Sequence, residues 1–358
     1  MPRVTIETLP DYARFLIATA ESADGQFPVQ RTVRLPGLEL IAHLDCGVLA
    51  DALDQAFIEA SCDPQDSCQC HIFIGHPGIG DMPEPASWGD AHFTEHSFAQ
   101  KLAEVGLRGH HFHDQDFWQV YAPDRRVGVQ LMRSADAFPP WEISAPLRAF
   151  LHWGYAEQGM RLAHAGTLGL DGKGVLLAGA GGAGKSGTVV AGLLNGLDSV
   201  GDDYVLIDLV DGVKARPLFS TLKQDPKGLA RLGLEKKLGA GRPLNWQGKH
   251  VFHINEIAPR PPRGNLDISA LMVPHIGGGE TSSITPMSRK DAIIALAPSG
   301  IAQMPGERES GFRFFSDLIR LLPCYRFSLG TRPAEIAGTI ADFLARGPDE
   351  TERDHARL

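Results

Sequence analysis

Leu147, Phe150, Leu151 and Tyr155 recur at helical spacing, predicting an amphipathic helix from Pro146 that ends near Gly159. Before it, the apolar pattern switches between short strand-like runs and helical ones. Residues 31–35 and 38–42 flank Pro36-Gly37, and 117–121 and 127–132 flank 122–126, so each pair reads as strand, turn, strand. The glycine- and proline-bearing stretch 75–90 reads as an exposed loop, and the polar break 134–140 as a boundary. After the helix come a strand over 161–168 and a hairpin turn at Asp171-Gly172. An apolar strand over 174–178 and a helix of small apolar residues over 186–194 follow, then strands over 204–208, 251–254 and 268–273. Two helices close the pattern: 288–297 with Ser288 as N-cap, and 331–345 with Pro333 in its first turn. The charged tail 347–358 reads as disordered, and no internal repeat is present. The pattern therefore predicts an α+β module over 1–140 and an α/β module with a mixed sheet and flanking helices over 145–346.

The net charge of −9 sharpens this by exclusion. An acidic chain lacks the basic surface that broad nucleic-acid or anionic-membrane binding needs. No apolar stretch is long enough to span a bilayer, and Met1 to Glu7 lacks the apolar core of a secretory signal. The expectation is a cytoplasmic protein with neither nucleic acid nor membrane as partner; self-association stays open.

Five cysteines do not make a disulfide framework in 358 residues. Cys62, Cys68 and Cys70 cluster with His71 and His76 behind them, but their spacing departs from paired zinc modules, and loop or buried thiols are the expected reading. His92 with His96, and His111 with His113, have spacings that place each pair on one face. Neither pair has a forced third ligand, so solvated or locally bonded histidines are expected.

The chemistry concentrates elsewhere. Residues Gly179, Ala180, Gly181, Gly182, Ala183, Gly184, Lys185 and Ser186 form a complete G-x-x-x-x-G-K-[ST] phosphate-binding loop, with Gly187 behind it. Glycines let backbone N–H groups approach phosphate oxygens with no Cβ in the way. Lys185 is then expected to reach the β and γ phosphates, and Ser186 to ligate Mg²⁺. Strand, loop and helix occur in the required order. Downstream, Gly201-Asp202-Asp203 puts two carboxylates at the start of a strand, where consecutive side chains point to opposite sides. One suits Mg²⁺, the other a general base. A plainer alternative gives one aspartate to the metal and the other to a turn.

His164 in Leu162-Ala163-His164-Ala165-Gly166, the glycine loop and Asp202-Asp203 occur in an order and spacing that resembles the catalytic domain of HPr kinase/phosphorylase, a P-loop kinase family related in fold to phosphoenolpyruvate carboxykinase. The resemblance covers about 150–210 well and the rest to 346 in outline. It implies a PEP carboxykinase-like domain using ATP and Mg²⁺, with Asp203 as the base for a hydroxyl, Ser186 and Asp202 (assisted by Asp203) at the metal, and His164 tuning charge beside them. Lys223 ends a serine-bearing segment similar to one in uncharacterised relatives, and Arg260 and Arg263 stand on a proline-rich loop able to close over a nucleotide.

The departures matter as well. The family's Glu/Arg/Gly-rich metal segment and its phosphorolytic segment have no counterpart, and residues 1–140 do not resemble its regulatory domain. A divergent kinase is expected, its acceptor a serine hydroxyl of a protein or peptide, or a small molecule, rather than HPr. The first module would recognise that acceptor. The alternative is a nucleotide-binding regulatory or scaffold protein with little turnover, which would not need the acidic pair.

Overall fold

The computed structural model describes residues 4–45, 47–59, 67–85, 94–112, 117–134, 138–258, 264–300 and 308–348. It is a mixed α/β protein whose chain divides into two compact units, parting after Gln158. The helix expected to open the second module therefore packs within the first.

In the first unit, α1 (Leu9–Ser22) precedes the hairpin of β1 (Val29–Leu35) and β2 (Leu38–Leu44). Then come α2 (Gly47–Ala56), β3 (Cys68–Gly75), α3 (Glu95–Ala103), β4 (Arg108–Phe112), β5 (Phe117–Ala122), β6 (Val127–Met132) and α4 (Arg148–Ala156). The strands form one six-stranded sheet in the order β1-β2-β3-β6-β5-β4, and both predicted strand-turn-strand pairs are present as antiparallel neighbours. β5 and β6 are buried along their whole length. Leu16 and Ile17 of α1 and Phe98 and Leu102 of α3 close over Trp118, Val120 and Val129 of the sheet. Of the predicted loop 75–90, residues 86–90 lie outside the described residues, and the part before them is less exposed than its composition predicts: Met82 is 2% exposed because it folds back onto this core.

The second unit runs β7 (Arg161–Ala163), β8 (Gly166–Leu170), β9 (Lys173–Leu177), α5 (Lys185–Leu194), β10 (Val205–Asp208), β11 (Lys214–Arg216), β12 (Thr221–Gln224), α6 (Pro226–Leu232), β13 (His250–His253), α7 (Ile254–Ile257), β14 (Leu266–Ile276), β15 (Ser283–Pro286), α8 (Arg289–Gly300), α9 (Arg308–Leu321), β16 (Cys324–Leu329) and α10 (Pro333–Arg346). Eight strands make a mixed sheet, in which β9, β14 and β16 lie parallel while β12 and β13 stand apart as a two-stranded ladder. Phe315 and Leu318 of α9 and Leu296 of α8 bury themselves against Leu176, Ile207 and Leu271 of the sheet. Ser288 caps α8 as expected, its hydroxyl accepting from the Asp291 amide at 3.1 Å.

One strand departs from prediction. The run 161–168 is broken after Ala163, where the Ala165 amide folds back to the Ala163 carbonyl at 2.9 Å. β7 then pairs with β10 and β8 with β9, so the break lets one run serve two neighbours. Of the predicted tail, residues 349–358 lie outside the described residues, as does the middle of the predicted boundary, 135–137. Among the described residues no helix is long and apolar enough to cross a membrane.

Candidate functional site

β9 is buried through Leu177, and Ala178 continues it by donating to the Met272 carbonyl at 3.0 Å. The chain then turns through Gly179, Gly182 and Gly184 at φ of 145°, 81° and 103°, values that only glycine adopts without strain. At Gly184 an added Cβ would also lie 2.4 Å from Leu329 Cδ1. Lys185 opens α5 and curls back, its Nζ donating to the carbonyls of Gly179 at 2.6 Å and Ala180 at 3.2 Å. Burial lowers the Lys185 pKa, while the charges of Asp202 and Asp203 pull the other way. Lysine and acidic pair therefore occupy one neighbourhood.

The acids arrive on the segment before β10. β8 holds that segment: Thr167 donates its amide to the Gly201 carbonyl at 3.1 Å, and Gly169 and Asp198 exchange 2.8 Å bonds. Asp202 and Asp203 precede the strand rather than forming part of it. Asp203 sits in the left-handed region at φ 69°, a conformation aspartate tolerates better than most side chains. The two side chains do part company, as the sequence leads one to expect, but a left-handed turn separates them rather than strand alternation.

Asp202 is 1% exposed and hydrogen-bonded by the Ser186 side chain, and its Oδ1 finds no hydrogen-bond partner. Burial, then the charge of Asp203, raises its pKa; Ser186 and Lys185 oppose that. Its pocket needs Gly166, since a Cβ there would lie 2.8 Å from Oδ1. Asp203 is engaged at both oxygens, with His164 Nε2 at 2.9 Å from Oδ1 and Lys223 Nζ at 2.6 Å from Oδ2. Burial works to raise its pKa, but Lys223 and His164 outweigh it and hold the carboxyl well below the usual range. Adjacent carboxyls are thus driven apart, one toward its neutral form and one toward the anion.

The strand break delivers His164. Val205 pairs with Ala163 across the β10–β7 ladder, so the chain leaving β7 at His164 and the chain entering β10 from Asp203 lie at the same end of it. The imidazole packs on the Tyr204 ring at 5.4 Å, and its Nδ1 is buried without a hydrogen-bond partner. Lys223 comes from β12, opposite Val251 of β13.

Two groupings escaped the sequence reading. Ser220 Oγ lies 2.8 Å from His253 Nδ1. Nearby, Arg242 grips Glu256 through two bonds of 2.6 and 3.1 Å. Burial lowers the His253 pKa, with Glu256 acting against it. Ser220 lies in the serine-bearing segment that ends at Lys223, but His253, Arg242 and Glu256 come from segments without a motif, so the chain does not advertise the pairings.

The remaining candidates separate. Cys62, His92, His113, Arg260 and Arg263 lie outside the described residues. Cys70 is buried in β3, where burial pushes its thiol up to about 12, and Cys68 is its partly exposed neighbour on the strand. His111 is enclosed by the rings of Phe98 and Trp118. Among the described residues no group of three or more His, Cys, Asp or Glu side chains is arranged to hold a metal ion.

No protein-family model matches the chain, and no curated protein matches it. Among solved structures, the Hpr(Ser) kinase/phosphatase from Coxiella burnetii is similar over 52% of this chain and 97% of its own, with 12% identity and a TM-score of 0.29. At that score the likeness carries no argument; any functional reading stands on the geometry.

Proposed function

We propose that the second unit is an ATP-dependent, Mg²⁺-requiring kinase of the PEP carboxykinase-like class that phosphorylates a hydroxyl. The observation that carries this is the double engagement of Asp203 by His164 and Lys223 beside a glycine loop whose own lysine feels both aspartates. A turn needs at most one partner to hold such a carboxylate, whereas phosphoryl transfer is served by a carboxylate oriented by a lysine and an imidazole together.

In this reading a triphosphate seated on the loop amides draws Lys185 off the carbonyls of Gly179 and Ala180 and onto the β and γ oxygens. Lys223 follows to the γ-phosphate and releases Asp203 Oδ2, whose basicity rises as the cation leaves. The acceptor hydroxyl gives its proton to Asp203 and its oxygen attacks the γ-phosphorus. The bond from that phosphorus to the bridging β–γ oxygen breaks, and ADP departs with the electron pair. His164 keeps the carboxylate oriented throughout. Mg²⁺ fits Ser186 and Asp202, two hard oxygen donors of which Asp202 Oδ1 is still unpartnered, and it would neutralise phosphate charge. Two protein donors suffice when substrate oxygens and water complete the shell.

The acceptor is a serine of a protein or peptide, or a small-molecule alcohol; the first unit is assigned its recognition, and the cytoplasm is the expected setting. The test is γ-labelled ATP with pooled peptide and small-molecule alcohols, comparing wild type with Asp203→Asn. The variant should lose on the order of 10³-fold in label transfer while still binding ATP. Binding without transfer in the wild type would favour a regulatory nucleotide sensor instead.

A further inference from the structure

Beside α5 lies a cleft that the proposed chemistry does not use. It is lined by Gly184, Gly187 and Thr188 at the start of that helix, by Leu329, Gly330 and Ile336, and by Gln224 and Arg231. The walls are small or apolar and suit a flat ring rather than a charged group. The lining at Gly330 is set in advance. Gly330 donates its amide to Ser282 Oγ at 2.9 Å, and the Ser282 amide and hydroxyl both donate to the Glu335 carboxylate, at 2.7 and 2.8 Å.

Gln224 is the anomaly. It lines this cleft, is 7% exposed, and its Nε2 is buried with no hydrogen-bond partner. A buried amide donor left unpaired is costly, and an acceptor atom of a ligand seated in the cleft would relieve that cost. We propose that the cleft receives the adenine base of the nucleotide and that Gln224 reads its N6/N7 edge. This rests on the nucleotide reading of the adjoining loop and extends it to the choice of base. A primary amide offers a donor beside an acceptor, the complement of adenine's N7 acceptor and N6 donor. Guanine presents two acceptors, N7 and O6, on the same edge, which leaves the glutamine oxygen opposed to O6. The exposed Arg231 guanidinium is placed to cover the ring face.

Calorimetry with the full chain in Mg²⁺ separates the ideas, using inorganic tripolyphosphate, ATP and GTP as probes. Tripolyphosphate engages the loop alone. The wild type should bind ATP at least about tenfold more tightly than either tripolyphosphate or GTP. Gln224→Leu should cut ATP affinity roughly tenfold and leave tripolyphosphate unchanged. Arg231→Ala is a second probe, on an exposed lining residue outside the loop. It should lower ATP affinity several-fold and keep tripolyphosphate binding. Equal affinity for ATP and tripolyphosphate in the wild type overturns the base site while the loop reading stands. Equal affinity for ATP and GTP, or an ATP affinity indifferent to Gln224→Leu, overturns the role of Gln224. If no probe binds, the loop reading fails and takes this proposal with it.

Discussion

Each unit sets a carboxyl at a turn with positive φ, and the two carboxyls meet opposite fates. Glu142 of the first unit is 2% exposed and accepts the amide of Leu147, itself at φ 58°, at 2.7 Å. Burial pushes its pKa up to about 7, with the Leu147 amide and Arg148 only partly offsetting that. Asp203 of the second unit, a quarter exposed, has a cation or imidazole on each oxygen and is held as the anion. Burial presses both groups the same way, so partners decide the outcome. A carboxyl that only ties a turn can go neutral; one kept ionised at a cost has been furnished for a task.

The largest test of the contrast strips Asp203 to the condition of Glu142. Replacing His164 and Lys223 together with alanine should lower phosphotransfer by on the order of 10³-fold in single-turnover assays, with the fold kept by circular dichroism. An unchanged rate would erase the distinction between the two carboxyls. The converse is Glu142→Gln. Because the folded pKa of Glu142 is raised from 4.5 to about 7, its neutral form supports the fold. That contribution is complete below 4.5 and is lost as pH rises through about 7. Glutamine keeps the acceptor without the charge, so urea unfolding at pH 8 should show the variant more stable by up to about 3 kcal/mol, shrinking toward zero near pH 4.

A smaller effect sharpens the other side. Lys223→Met should cost about 2 kcal/mol at neutral pH, since it leaves a partly buried anion with one partner. The Asp203 pKa is depressed, so the gap from wild type should persist above the ordinary carboxylate range and close as pH falls below it, read from paired denaturation curves. Smallest, Gly166→Ala should cost about 1 kcal/mol, with a Cβ 2.5 Å from Val189 Cγ2 and 2.8 Å from Asp202 Oδ1. Its thermal shift should be modest beside its loss of turnover, because the displaced atom is a proposed metal ligand.

How much of this the chain discloses depends on distance along it. The loop, its strand and its helix are contiguous, and local apolar runs place them within a residue or two. The hairpin strands of the first unit are equally plain, because turn residues sit between alternating runs. His164 and Asp203 are 39 residues apart, yet their approach is legible through the spacing the chain shares with a known pattern. The break after Ala163 is not, since the run 161–168 looks continuous and only the presence of two neighbouring strands divides it. Lys223 meeting Asp203, Ser220 meeting His253, and Gln224 facing the cleft depend on a detached ladder whose docking no periodicity encodes. Glu142 likewise looks like an ordinary surface acid until the Leu147 turn closes over it.

The break at His164 also divides the site between two ladders. Histidine and aspartates hang from β7 and β10, which pair with each other. Lys223 rides on β12, which among the described strands pairs with β13 alone. A shift of that second ladder against the sheet would therefore be registered at the lysine contact, while the imidazole keeps its hold.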